Sequence, residues 1–411
     1  MSLREEALHM HQVKQGKLGI YAKIDVKNAH DLSLAYSPGV AEPCKEIFEN
    51  PESVYDFTMK GNMVGLLTNG SSVLGLGNIG ASASLPVMEG KAILLKSFAG
   101  VDAFPIALNT TDKDKIVETV KLMAPTFGAI HLEDIAAPDC FQIEERLKQE
   151  LDIPVFHDDQ HGTAIVALAG LINALKLVNK EMKDLKIVIN GAGASGIAIA
   201  KLLFSSGVTN MILCDTKGEI YAGRSVGMNQ AKESVATFTN GENEKGSLRD
   251  AIKGADVFIG VSVAGTLTKE MVRTMNQDAI IFALANPVPE INPAEAKEAG
   301  ARIIGTGRSD FPNQVNNVLA FPGVFRGALD VRATAINEAM KKAAAEAIAE
   351  LIAESELDEE YVIPSPFDAR VAPAVAAAVA RTAMETNVAR IQVNPEQVRM
   401  KTMNLTTLRD E

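Results

Sequence analysis

Residues 127–163 read FGAIHLEDIAAPDCFQIEERLKQELDIPVFHDDQHGT. Two short apolar runs, 129–132 and 153–156, each stop at a pair of carboxylates: Glu133 and Asp134 after the first, Asp158 and Asp159 after the second. Between them Phe141, Ile143, Leu147 and Leu151 recur at helical spacing, while Glu144, Glu145, Arg146 and Lys148 take the solvated positions. A strand, helix, strand unit is predicted. Strands joined by such a crossover run parallel, so both acidic pairs reach the same carboxyl edge, where open α/β sheets keep their ligands. Carboxylates gathered there either splay into water or surround a divalent cation, and hard oxygen donors suit Mg²⁺ or Mn²⁺. A lone acidic pair after a strand would read as helix capping or loop solvation. Two pairs at the two ends of one crossover shift the balance toward a metal.

Composition narrows the partners. The chain of 411 residues is 47% apolar and 22% charged, ordinary for a globular protein and long enough for two domains. A net charge of −12, with no dense Lys/Arg block, argues against a nucleic-acid surface. Cys44, Cys140 and Cys214 are odd in number and widely spaced, which indicates neither a disulfide framework nor a cysteine zinc cluster. The first residues carry acids where a signal peptide needs an apolar core, and the longest apolar run, 162–175, is too short to span a bilayer. A cytoplasmic protein without membrane association is expected.

The second half opens on KIVINGAGASGIAIAKLLFSSGVTNMILCD. A strand is predicted at 186–190, a helix at 195–206 and a second strand at 211–214, ending in Asp215. Gly191, Gly193 and Gly196 fit G-x-G-x-x-G between the first strand and the helix. Glycines there give the tight turn, the backbone approach to a pyrophosphate and close helix packing, while the helix N-terminus attracts the negative charge. Further strands are predicted at 256–261, 279–285 and 302–304, each running into a polar or glycine-bearing turn, among them Asn286-Pro287. The fold class that follows is α/β: a Rossmann-like doubly wound NAD(P)-binding domain at 161–411, and an N-terminal α/β domain at 1–160 carrying the substrate and metal residues. The apolar segment 162–178 reads as a helix buried between them.

Other residues carry chemistry singly. Tyr36 precedes Ser37-Pro38-Gly39 at a turn, with a helix starting near Ala41. Lys91 lies among Val87, Ala92, Leu94 and Leu95, on a helix read as opening at Pro86. It either snorkels to the surface or is desolvated, and desolvation lowers an amine toward the range of a useful base. Arg308, Asn313, Gln314, Asn316 and Asn317 crowd into ten residues, amides able to meet a carboxylate or carboxamide without adding charge. His157 and His161 flank the second acidic pair, a spacing that would suit zinc, but the nearby carboxylates favour a harder ion. His131 reads as a strand residue. Helices are predicted at 332–354 and 373–390, Ala-rich and suited to close packing.

Taken together, AYSPGV, VLGLGNIG with PVMEGK, HLEDIAAPDCF, FHDDQHGTA, INGAGASG, ANPVPE and GRSDFPNQVNNVLAFPGV resemble the malic enzymes, specifically their short bacterial form, in order and spacing from about residue 34 to 330. The resemblance implies oxidative decarboxylation of L-malate to pyruvate and CO₂, with NAD or NADP reduced and Mg²⁺ or Mn²⁺ required. It implies Glu133, Asp134 and Asp159 as metal ligands, Lys91 as general base, Tyr36 as general acid, and Asp158 as the residue that orients or assists Lys91. Gly191, Gly193, Ser195, Gly196 and Asp215 would meet the dinucleotide, and Asn286 and Asn317 the substrate and nicotinamide. Larger members bind the substrate carboxylate with an arginine where this chain has Ser72; Asn317 or main chain near Gly77 is expected to replace it. A homodimer is also implied.

Two alternatives stand beside this reading: a malolactic enzyme, yielding lactate with NAD bound, and a non-catalytic dinucleotide-binding regulator. Tyr36, Lys91 and the three ligand candidates speak against the regulator. Cofactor choice stays open, because Asp215 favours a ribose hydroxyl and NAD, whereas Lys217 and Arg224 behind it suit a 2′-phosphate.

Overall fold

The computed structural model describes residues 2–408 and contains two parallel sheets. The first holds β1 (Met63–Thr68), β2 (Asp102–Ala107), β3 (Ala129–Leu132) and β4 (Val155–His157) in the order β2-β1-β3-β4. The second holds β5 (Lys186–Asn190), β6 (Asn210–Asp215), β7 (Gly218–Glu219), β8 (Val257–Gly260), β9 (Ile280–Ala283) and β10 (Ile303–Thr306) in the order β10-β9-β8-β5-β6-β7, with only β7 antiparallel. Both sheets are α/β, as expected. Pro105 is tolerated because β2 is an edge strand. β4 starts two residues later than predicted, after Pro154, whose nitrogen has no proton to donate.

Each sheet has a switch point where the chain leaves one side for the other, β1/β3 in the first and β5/β8 in the second. Such crevices collect ligands in open α/β sheets. Register delivers the acids there: Leu132 of β3 lies beside His157 of β4, so Glu133-Asp134 and Asp158-Asp159 leave adjacent strands at one level.

The following helices position the site: α1 (Leu3–Lys14), α2 (Ala29–Ala35), α3 (Ala41–Glu49), α4 (Ala81–Ala99), α5 (Lys113–Met123), α6 (Asp139–Glu150), α7 (Asp158–Val178), α8 (Ala194–Ser205), α9 (Phe321–Asp330), α10 (Glu338–Ala349), α11 (Val371–Glu385) and α12 (Pro395–Leu405). The buried helix predicted at 162–178 starts earlier, at Asp158, so the second acidic pair forms its first turn. At 21 residues α7 is therefore long and apolar enough to cross a bilayer, unlike the run read from sequence, yet 72% of its apolar window is buried inside the fold. One core runs through it, joining Val64, Ala129 and Phe156 of the first sheet to Ile187 and Phe282 of the second.

Three more helices differ from expectation by more than one residue. α4 begins at Ala81, and Pro86 lies inside it, because the small residues Ala81–Ser84 take up the helix first. α10 begins at Glu338: Arg332 sits at φ 49, outside helical geometry, and Asn337 caps the later start by accepting from Met340 N–H. α11 ends at Glu385, five residues early, just ahead of Asn387 at φ 58. Helices α9, α11 and α12 pack back on α4 beside the first sheet. Arg326 of α9, 1% exposed, reaches Asn62 Oδ1 at 2.5 Å. The N-terminal arm is different: α1, α2 and α3 bury no residue at all.

Candidate active site

Glu133, Asp134 and Asp159 converge as the crossover requires. Each offers an oxygen within 4.8 Å of those of the other two, and Glu133 and Asp134 are 3% exposed. Asp134 N–H donates to Asp159 Oδ2 at 2.8 Å, which ties the two strand ends together. Asp134 takes φ 55, a left-handed backbone uncommon for a residue with a side chain. Its carboxyl is pushed up to about 8, by burial first and then by Glu133 and Asp159, and Asp159 is also raised by burial and by Glu133. Asp134 Oδ2 is buried without a hydrogen-bond partner. Three hard oxygen donors that repel one another, one of them unpartnered, fit a divalent cation.

Lys91 comes from α4 across the same edge. Its Nζ lies 2.5 Å from Asp158 Oδ2, 3.2 Å from Glu133 Oε1 and 4.6 Å from the centre of the Phe321 ring. Its apolar neighbours in sequence left two readings open, a snorkelling amine or a desolvated one lowered toward the range of a base. Burial does work in that direction, but Asp158 and Glu133 together outweigh it and raise Lys91 instead. Asp158, wholly buried, is pushed up to about 6 by burial, against the pull of Lys91. Lys91 thus neither snorkels nor sits alone; it is held in an ion pair.

The glycine turn has the geometry its pattern implies. A Cβ on Gly191, at φ 118, would come 2.5 Å from Val261 O, and one on Gly196 1.8 Å from Gly191 O, so both are close backbone approaches. A Cβ on Gly193 would meet nothing within 4 Å, leaving the backbone open toward a cavity of 680 Å³ lined by Asn190, Gly193, Asp215 and Lys232. That open face at the start of α8 fits a pyrophosphate. Ser195 turns elsewhere: its Oγ donates to the Asp159 carbonyl at 2.7 Å. Asp215, at the end of β6, is engaged by Arg224 and Lys232.

The remaining candidates divide. Asn317 reaches the site, since a Cβ on Gly162 in α7 would lie 2.9 Å from its own Cβ. Asn286 follows β9 on an exposed turn, and its carbonyl is 3.0 Å from where Gly75 would carry a Cβ, across the crevice between the sheets. Ser72 N–H donates to the Asp134 carbonyl at 3.1 Å, so that position braces the metal-ligand loop. Tyr36 is the residue the structure does not bring in. It caps α2 and is 69% exposed, and among the described residues its hydroxyl has no hydrogen bond to the cluster.

Two parts of the site carried no motif. His131, in β3 as expected, bonds Glu133 Oε2 through Nε2 at 2.7 Å and stacks on Phe325 at 5.1 Å. Glu144, read as a solvated position of α6, is 4% exposed; it accepts from His157 N–H at 3.1 Å and faces His161 and Lys148, each at 2.8 Å. His161 is thereby taken up by Glu144, away from the acidic pair. The i, i+4 spacing of Glu144 and Lys148 was the only signal in the sequence.

Comparison with known proteins agrees with this geometry. Residues 14–148 match the family model for the malic enzyme N-terminal domain, and residues 160–384 that for the malic enzyme NAD binding domain. The chain is 70% identical over 408 residues to the bifunctional malic/malolactic enzyme of Bacillus subtilis, covering 99% of this chain and 100% of that one. It is 56% identical to an NAD-dependent malic enzyme of Geobacillus stearothermophilus, covering 91% and 78% of the two chains. The crystal structure of a Pyrococcus horikoshii malic enzyme, 48% identical, superposes with a TM-score of 0.93 over 98% of this chain and 95% of that one. The chain belongs to the malic enzyme family and is an NAD(P)-dependent decarboxylating oxidoreductase.

Proposed function

We propose that the chain oxidises L-malate at C2 with NAD or NADP as acceptor and releases the C4 carboxylate as CO₂, leaving pyruvate. The observation that carries this reading is the buried Lys91 amine between Asp158 and Glu133, at the edge where the acids converge. Glu133, Asp134 and Asp159 would hold Mg²⁺ or Mn²⁺, which supplies Lewis acidity to the C2 oxygen and to the carbonyl it becomes. The nicotinamide, when bound, supplies the hydride acceptor.

Lys91 donates to Asp158 Oδ2 at 2.5 Å and keeps the proton at rest, because Asp158 and Glu133 raise the amine; burial raises the Asp158 carboxyl to about 6, which makes it the nearest group to which that proton can pass. With the proton on Asp158, Lys91 Nζ is free to accept the C2 hydroxyl proton. With it on Lys91, the pair can return a proton to C3 by way of Tyr36. Asn286 and Asn317 suit the substrate and nicotinamide as neutral amides, and Asn317 or main chain near Gly77 stands in for the arginine absent at Ser72. The metal ligands and Lys91 belong to residues 1–160 and dinucleotide binding to 161–411, the second part also bringing Asn286 and Asn317 to the substrate.

The exposed arm supports a homodimer. Leu3, Ile20 and Phe48 are 84%, 90% and 88% exposed, an apolar surface that a second copy would cover. Tyr36 lies on that arm, so its acid role would be filled at the partner's site. A cytoplasmic location fits an enzyme of small-molecule metabolism.

The test is spectrophotometric. With L-malate and Mn²⁺ the reduced nicotinamide accumulates, and Lys91→Ala lowers the rate by roughly 10²–10⁴-fold; an unchanged rate removes Lys91 from the mechanism. Mixing inactive Lys91→Ala and Tyr36→Phe chains restores part of the activity if Tyr36 acts across a dimer. A second reading is favoured by the relative from Bacillus subtilis, whose name includes malolactic activity. It predicts lactate from malate with only catalytic amounts of NAD.

A further inference from the structure

The turn after β9, ANPVPE at residues 285–290, ends in a buried acid. Glu290 is 0% exposed, and among the described residues no cation is hydrogen-bonded to it. Its carboxylate is spent on two loops instead: Oε1 accepts from Ser262 N–H at 2.8 Å and from Ser262 Oγ at 3.3 Å, and Oε2 accepts from Ala285 N–H at 3.0 Å. Burial raises the carboxyl, and the two amides hold it down. Gly260, the last residue of β8, makes the room, since a Cβ there would stand 2.4 Å from the Glu290 carboxyl carbon. A buried carboxylate without a counter-ion costs stability, which a role in packing alone does not explain.

Ser262 belongs to the loop after β8 and lines the 680 Å³ cavity; Ala285 immediately precedes Asn286 in the loop after β9. Main chain adds two bonds between these loops, Leu267 N–H to Glu290 O at 3.1 Å and Gly265 N–H to Pro289 O at 3.4 Å. A third strand end is drawn in: Asn190, the last residue of β5, donates through Nδ2 to Ser262 Oγ at 2.8 Å and to Thr266 Oγ1 at 3.1 Å, one residue ahead of the glycine turn. In the order β9-β8-β5-β6 the end of β6 faces the adenosine and the start of α8 the pyrophosphate, so the ends of β8 and β9, beyond the switch point, are left for the nicotinamide. Residues 286–288 are exposed, and Ala285 and Glu290 on either side anchor them.

We propose that Glu290 is a positioning residue for the nicotinamide half of the cofactor, its carboxylate setting the distance between the loop of Ser262 and the loop of Asn286. The proposal rests on the dinucleotide-binding reading of the same cavity. Glu290→Gln keeps the size of the side chain and breaks the clamp: the amide oxygen meets one N–H, and its NH₂ turns a donor toward the other. The glycine turn and Asp215 are untouched.

Calorimetric titration with NAD⁺ and with ADP-ribose, which lacks the nicotinamide, tests it without turnover; NADP⁺ and 2′-phospho-ADP-ribose serve as the pair if the chain takes NADP. In Glu290→Gln the dissociation constant of the full dinucleotide rises about tenfold, the worth of one charge-assisted hydrogen bond, while that of ADP-ribose stays within about twofold. Equal weakening of both makes Glu290 a support of the whole domain and overturns the proposal, as does no change in either. If circular dichroism shows the Gln chain unfolded, Glu290→Asp, which keeps the charge but is one methylene too short to span both amides, must show the same split. A wild-type chain that binds neither ligand overturns the dinucleotide-binding reading together with this one.

Discussion

Ser195 Oγ donates to the backbone carbonyl of Asp159 at 2.7 Å, so the first turn of the cofactor helix is bonded to a residue of the metal cluster. The serine sits inside the glycine motif, where it would be read as a phosphate contact. Its hydroxyl instead joins α8 to α7, the helix shared by both sheets.

Ser195→Ala keeps all three glycines and removes this bond. The loss of one neutral hydrogen bond, about 1 kcal/mol, is expected to raise both the apparent Mn²⁺ dissociation constant and the KM for NAD(P) several-fold, with the thermal midpoint little changed. Metal titrations at saturating cofactor, and the reverse, measure it. An effect on cofactor KM alone would mean that the hydroxyl serves only the dinucleotide.

Asp134→Asn separates catalytic need from stability. Asn tolerates the left-handed backbone found at Asp134, so the substitution leaves the turn in place. One of three mutually repelling carboxylates is removed, and the metal-free chain should gain about 1 kcal/mol or more. In the presence of chelator its thermal midpoint rises above wild type; on adding Mn²⁺ only the wild type shifts further, and the variant turns over at least ~100-fold more slowly. A variant less stable than wild type without metal would show that repulsion in the cluster is not what the cation relieves.

How far the sequence carried is seen by comparing these residues with their neighbours. The acidic pairs and the glycine turn were legible because strand ends and crossovers fix where such residues go, whatever surrounds them. The protonation of Lys91 was not, since its apolar neighbours along α4 are visible in sequence while Asp158 and Glu133 arrive from other strands. Glu144 was misplaced for the same reason: its position on α6 looks solvated until α7 brings His161 against it. Lys217 and Arg224 were read as facing the cofactor because they follow Asp215 closely in sequence, but Arg224 turns to the Gly218 and Glu219 carbonyls, and it is Lys232, which no motif marked, that lines the cavity.

Glu144 also gives a pH dependence. Burial opposes its charge, but His161 and Lys148 hold its carboxyl well below the usual range. A carboxyl depressed in the folded state adds stability that is present above its unfolded value, near 4.3, and lost as pH falls through the folded value. Glu144→Gln should therefore lie about 3 kcal/mol below wild type at neutral pH, with the gap closing only below about pH 4. Thermal midpoints of the two proteins between pH 3 and 8 check this; a gap that widens on acidification contradicts it.

Gly162 shows how tightly the cluster is set. In mid-helix, alanine ordinarily stabilises by up to about 1 kcal/mol over glycine. Here an added Cβ would stand 1.9 Å from Asp158 Oδ1 and 2.9 Å from Asn317 Cβ, inside both atoms' contact distance. Asp158 must swing away from Lys91, or α7 must move from Asn317. Since a displacement near 1 Å can cost about 100-fold in rate, Gly162→Ala is expected to keep its helical circular dichroism and bind NAD(P) while kcat falls by about that factor. A variant with wild-type kcat would mean that the Asp158 side chain can leave Lys91 without consequence, which removes Asp158 from the mechanism.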